Sequence, residues 1–136
     1  MKAVMIKSTN YSPFICFNQD GNLLIEGKSI PKDSNSIFLP LFEFASQIRA
    51  DKVVFDINLE YFNTATTKRL LKLINIIDNN SNVLEFIVKW HHVKDDTYSI
   101  ELANIFEECQ QKAKFQYIMH NSFKELYKLK IQKQLS

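Results

Sequence analysis

The stretch KVVFDINLEYFNTATTKRLLKLINIID, Lys52 to Asp78, changes its hydrophobic period halfway along, and that change decides the fold. Val53, Phe55, Ile57 and Leu59 recur at every second position, as a strand with one buried face requires, while Val54 and Phe62 imply that the other face is partly covered. From Thr64 onward the spacing turns helical. Leu70, Ile74 and Ile77 form one stripe, and Leu71, Leu73 and Ile76 widen it to the breadth needed for deep packing on a sheet.

The alternation of strand and helix extends in both directions. SPFICFN and NLLIEG are β-rich runs joined by NQDGN, whose Asp20-Gly21 pair supplies hairpin-turn chemistry. Pro31 and the polar residues of KSIPKDSNS cannot propagate a sheet, and Ser34 to Ser36 offer N-cap side chains to a helix that runs to about Arg49. Pro40 is expected near its first turn, where a missing N–H costs little. After Asp78 come a polar NNSN loop, the strand VLEFIVKW, a helix beginning near Asp96, and the strand KFQYIM. The predicted order is β-β-α-β-α-β-α-β: an α/β single domain whose mixed sheet has a leading β-hairpin and right-handed crossover helices covering its faces. A last helix is expected in NSFKELYKLKIQKQLS, with Phe123, Leu126, Tyr127 and Leu135 inward and four lysines against Glu125. The chain therefore divides into a domain at 1–120 and a basic C-terminal helical tail at 121–136.

Composition narrows the function by exclusion. A chain of 136 residues, 46% hydrophobic and 24% charged, fits one domain with a real core and has no room for a second. A net charge of +2 is too mild for a nucleic-acid binder, which carries a strong basic stripe. The apolar run at the N-terminus is too short for a signal peptide, and no stretch approaches the roughly 18 apolar residues of a membrane span, so a cytoplasmic protein without membrane insertion is expected. Cys16 and Cys109, both flanked by apolar residues, read as reduced thiols in or near the core.

Catalytic and cofactor motifs are missing. Gly21 and Gly27 are the two glycines, too few for a dinucleotide fingerprint or a P-loop. His91 and His92, being adjacent, point to opposite faces of a strand, which argues against a metal site with His120. There is no Gly-x-Ser-x-Gly elbow and no evident histidine partner for Cys16. No cofactor and no enzymatic activity are expected. Asp95 and Asp96 read as helix-start residues, Asp96 as the N-cap, and the five acids between 95 and 108 make one acidic face.

What remains is the cluster Thr64, Thr66 and Thr67 at a helix start. Such hydroxyls cap a helix, bind a ligand such as an anion or nucleotide, or receive a phosphate; a constitutive adaptor would use the surrounding charges alone. The segments SPFICFNQDGNLLIEGKSIPKDSNSIFLPLFEF, FDINLEYFNTATTKRLLKLI and VKWHHVKDD together resemble the SiaC-type regulatory phosphoproteins of bacteria, most specifically in Tyr61-Phe62-Asn63-Thr64 entering a leucine-rich helix. Ala65 and Thr66 stand where that family tends to have serines. The resemblance implies a fold like the anti-sigma-factor antagonists (STAS-like) and a role in partner switching. It implies that Thr64 is phosphorylated by a serine/threonine kinase of histidine-kinase-like type and reset by a PP2C-type phosphatase. The unmodified form would bind an effector such as a diguanylate cyclase, which makes cyclic di-GMP. The expected partner-binding residues are Tyr61, Asn63, Thr66, Lys68 and Lys72, with Lys68, Arg69 and Lys72 giving the helix start a local charge of +3.

Overall fold

A computed structural model of the chain describes residues 2–9, 12–28, 30 and 35–122. Its elements are β1 (Val4–Ile6), β2 (Phe14–Phe17), β3 (Asn22–Gly27), α1 (Asn35–Gln47), β4 (Lys52–Leu59), α2 (Thr64–Asp78), β5 (Glu85–Val93), α3 (Thr97–Glu108) and β6 (Lys114–His120). All eight elements predicted up to residue 120 are present, and β1 is an addition. The helix expected after residue 120 lies, from Phe123 onward, outside the described residues.

The β2–β3 turn shows why the leading hairpin forms where it does. Gly21 has φ +98°, a left-handed conformation that suits glycine, and Asp20 Oδ1 accepts the Asn22 N–H at 3.0 Å. A Cβ at Gly21 would run into the Lys52 carbonyl, and the Gly21 carbonyl in turn accepts the Val54 N–H at 2.9 Å. The turn residue is thus also the point at which the hairpin meets β4. β1 adds to the outer side of this hairpin, pairing Val4 with Phe17 and Ile6 with Ile15.

The six strands lie side by side in chain order, antiparallel from β1 to β3 and parallel from β3 to β6. Each of the three crossovers therefore steps one strand in the same direction, and with a common right hand all three helices fall on one face. The main core confirms it: Phe17, Phe55, Val88 and Trp90 from the sheet pack with Phe44 of α1, Leu70 and Ile74 of α2, and Phe106 of α3. The expectation that helices cover both faces is corrected here, because consecutive strand order allows no reversal of the winding. On the opposite face, Phe14, Cys16 and Leu24 form a small separate cluster.

Two other readings change. Pro40 is the sixth residue of α1, beyond the first turn, so it removes one intrahelical bond, the one that would reach the Ser36 carbonyl. Cys16 is buried as expected, but Cys109 is the exposed C-cap of α3, since its apolar neighbour Phe106 takes the inward position. The loops after the helices are held by buried polar side chains. Asp78 accepts the N–H groups of Gln111, Lys112 and Ala113 at 2.8, 2.9 and 2.8 Å, and Asn80 donates to the carbonyls of Ala45 and Ile48.

Candidate functional site

The C-terminal ends of β4 and β5 and the start of α2 come together at one end of the sheet. Beyond β4 the chain stays attached to the end of β3, with the N–H groups of Glu60 and Tyr61 donating to the carbonyls of Gly27 and Lys28 at 3.2 and 2.8 Å. Phe62 then turns inward and stacks on Trp90, centroid to centroid 5.3 Å with 14° between the planes. Trp90 is itself fixed by its Nε1–H, which donates to Ser99 Oγ at 2.8 Å. Tyr61, pointing the other way, is 62% exposed.

Asn63 caps α2. Its Oδ1 accepts the Thr66 N–H at 2.8 Å, and its Nδ2 donates to the Ile30 carbonyl at 3.0 Å, so both ends of the side chain are engaged. The three hydroxyls that look alike in the sequence separate here. Thr66 is fully buried and its Oγ1 donates to the same Ile30 carbonyl at 3.3 Å. Thr67 is half-buried, with Oγ1 donating to the Asn63 carbonyl at 2.9 Å. Thr64, the first residue of the helix, is exposed. Around it the N–H groups of the first turn point out along the helix axis, where a negative group is favoured.

The predicted docking face is brought together only in part. Tyr61, Thr64 and Lys68 are exposed at the top of the helix, Lys68 one turn below Thr64. Asn63 is half-buried by its capping role, and Thr66 is corrected from a partner-binding to an internal position. Lys72 lies eight residues on, about 12 Å down the helix. Its Nζ sits 4.7 Å from the centre of the Phe42 ring, a cation–π contact that assigns it to the α1–α2 ridge.

Sequence spacing missed the other half of the rim. Tyr61 and Phe62 line an open cleft with Glu60, Val93, Lys94, Asp95, Asp96 and Tyr98, because the C-terminal ends of adjacent parallel strands open side by side. Asp96 caps α3 as expected, its Oδ1 accepting the Ser99 N–H at 3.2 Å, and Asp95 beside it has φ +67°. Tyr98 is 60% exposed. The rim therefore carries Lys68 on the α2 side of Thr64, and on the other side the carboxylates of Glu60, Asp95 and Asp96, with Lys94 among them and two exposed tyrosines.

The histidines occupy a different place. On the sheet face away from the helices, His91 bridges Asp56 Oδ1 through Nε2 at 2.7 Å and His120 Nε2 through Nδ1 at 2.8 Å. With Asp56 ionised, His91 donates to it from Nε2, and a neutral His91 then accepts from His120. Among the described residues no group of three or more histidine, cysteine or acidic side chains is arranged to hold a metal ion.

Residues 6–120 match the model of the SiaC family of regulatory phosphoproteins. The chain belongs to the SiaC family. Its fold superposes on SiaC of Pseudomonas aeruginosa with a TM-score of 0.72 at 24% identity, covering 88% of this chain and all of that one. A TM-score of 0.72 at 22% identity, over 86% of this chain and 99% of the other, relates it to the crystal structure of the diguanylate cyclase SiaD in complex with its activator SiaC from the same organism. It is also 25% identical over 113 residues to an uncharacterised protein of Pseudomonas aeruginosa, 79% of this chain and 90% of that one. As a SiaC-family chain it is a regulatory protein built on a six-stranded α/β domain. No helix among the described residues is long and apolar enough to cross a membrane.

Proposed function

We propose that this SiaC-family protein is a non-enzymatic cytoplasmic switch whose partner is selected by phosphorylation of Thr64. A serine/threonine kinase adds the phosphate, a PP2C-type phosphatase removes it, and the unmodified form engages a diguanylate cyclase, as the SiaC of the solved complex activates SiaD. The observation that carries the reading is the sorting of the three threonines: Thr66 and Thr67 are held by hydrogen bonds to the Ile30 and Asn63 carbonyls, and Thr64 is presented outward at the helix start.

The physics of that position suits a reversible switch. A phosphate brings about −1.5 to −2 charges to the positive end of a helix, beside its outward N–H groups and with Lys68 one turn away, so the domain tolerates it. The cost falls on a docked partner. Negative charge arrives at the border between Lys68 and the carboxylates of Glu60 and Asp95, extending the acidic side of the rim across the middle of the face. Each 1.4 kcal/mol or so of like-charge repulsion lowers affinity about tenfold.

Two measurements test the reading together. Phosphopeptide mapping after incubation with the cognate kinase should place the label on Thr64, with Thr66 and Thr67 unlabelled. Calorimetric titration of the cyclase should give weaker binding for the phosphorylated protein and for Thr64→Asp than for wild type. Label that persists in Thr64→Ala, or equal affinity in all three titrations, overturns the proposal.

A further inference from the structure

The last strand of the sheet is open along one side. β6 pairs with β5 from Lys114 opposite Ile87 to His120 opposite Val93, and among the described residues no strand lies beyond it. The His120 carbonyl accepts the Lys94 N–H at 2.8 Å, so His120, Ile118, Gln116 and Lys114 turn their backbone groups towards β5. Phe115, Tyr117 and Met119 therefore turn theirs outward. One of these groups is already engaged, since Glu107 Oε2 of α3 accepts the Phe115 N–H at 2.8 Å. Tyr117 and Met119 have no backbone partner on that side among the described residues, and they are 38% and 56% exposed. A strand edge of this kind is a template for another strand.

We propose that this edge docks an extended basic segment of a partner protein, which joins the sheet as a further strand. The chemistry is set by α3, which runs above the edge. The Tyr117 hydroxyl lies 2.7 Å from Asn104 Oδ1 and 3.2 Å from Glu107 Oε1, and these contacts fix that side of the helix over the margin of the sheet. Glu101 and Glu108 stand three residues before Asn104 and four after it, on the same side of α3, and all three are exposed. The helix carries no lysine or arginine. Carboxylates thus overlook an edge whose own residues, Phe115 to Met119, are uncharged. A strand laid along it directs alternate side chains to the helix side. Lysine or arginine at those positions meets Glu101 and Glu108, and apolar residues between them meet Ile118 on the other face.

The same charges argue against a second copy of this chain as the occupant. Two β6 edges joined antiparallel would put both α3 helices on one face of a continuous sheet, with their carboxylate rows towards each other. Glu107 marks the limit of the site, because by holding the Phe115 N–H it closes the Lys114 end and leaves Tyr117 to Met119 as the open part. β6 is two strands away from β4, which leads into the Thr64 corner. The edge therefore holds a partner that the state of Thr64 does not select.

The test uses the full chain and a labelled short peptide alternating lysine and valine. Fluorescence anisotropy should show saturable binding that weakens with salt, and a peptide alternating glutamate and valine should not bind. Glu101→Lys with Glu108→Lys should weaken the lysine peptide about tenfold or more while the protein still melts cooperatively. At saturation, amide exchange followed by NMR should be slowed about tenfold or more at Tyr117 and Met119. Met119→Pro removes an outward N–H and no bond to β5, so it should weaken binding without unfolding the sheet. Thr64→Asp should leave the affinity unchanged. No saturable binding overturns the proposal, and so does binding indifferent to the two glutamates. Binding that leaves exchange at Tyr117 and Met119 unaltered is charge attraction without strand pairing and overturns it too. Affinity lost in Thr64→Asp would assign the peptide to the Thr64 rim, and a dimer that Met119→Pro dissociates would assign the edge to a second copy; either result overturns the proposal.

Discussion

Asn63→Ala and Thr66→Val probe the joint that sets the angle of the Thr64 corner, because both native side chains donate to one acceptor, the carbonyl of Ile30. Asn63→Ala loses the cap on the Thr66 N–H, worth about 1 kcal/mol, and the donor to Ile30, worth about another 1 kcal/mol, so its stability should fall by about 2 kcal/mol. For a domain of this size that is a drop of roughly 6–10 °C in Tm. Thr66→Val keeps the shape and loses one long hydrogen bond, offset in part by the buried methyl, and should cost about 0.5–1 kcal/mol. Each single change leaves the carbonyl one of these two donors. The double change removes both, and a buried acceptor without a partner costs about 1–3 kcal/mol, so the pair should lose about 1 kcal/mol more than the sum of the singles. Urea denaturation of the four proteins measures the coupling directly. Additivity to within about 0.3 kcal/mol would show that the two donors do not share the Ile30 carbonyl, and would leave burial alone as the reason for assigning Thr66 an internal role.

The remaining expectations concern the far end of the sheet. Asp78→Ala strands the N–H groups of Gln111, Lys112 and Ala113, and at about 1–2 kcal/mol for each orphaned donor the loss should be about 3–5 kcal/mol in urea melts; a loss under about 1 kcal/mol would mean that the 111–113 turn finds other acceptors. Partial burial, and then the charge of Glu107 and its hydrogen bond, push the Tyr117 phenol from 10.0 up to about 12. A raised folded pKa favours the protonated phenol, so this stabilisation is complete below pH 10 and is lost as pH rises through 12, a dependence that Tyr117→Phe should abolish. Ultraviolet titration of wild type against Tyr117→Phe should assign the missing tyrosinate to the high-pH limb, and a difference signal centred at the ordinary phenol value would contradict it.

The change of period within Lys52–Asp78, the Asp20-Gly21 turn and the Asp96 cap were legible in the sequence because each depends on residues within one turn or two of one another, and such spacings report the local backbone directly. So was the family, through Tyr61-Phe62-Asn63-Thr64. β1 was not legible: two half-buried residues around an exposed Met5 become a strand only because Phe17 and Ile15 stand opposite Val4 and Ile6. The single-sided helical layer was hidden too, since it follows from the order of the strands rather than from the make-up of any one. The same limit governs the site. Thr64, Thr66 and Thr67 are chemically equivalent along the chain, and it is the Ile30 carbonyl, 36 residues from Thr66, that draws one hydroxyl inward and leaves another at the surface. Glu60 and Tyr61 meet Asp95 and Tyr98 only because β4 and β5 end side by side, and contacts of that range are decided by packing, to which a hydrophobic period is blind.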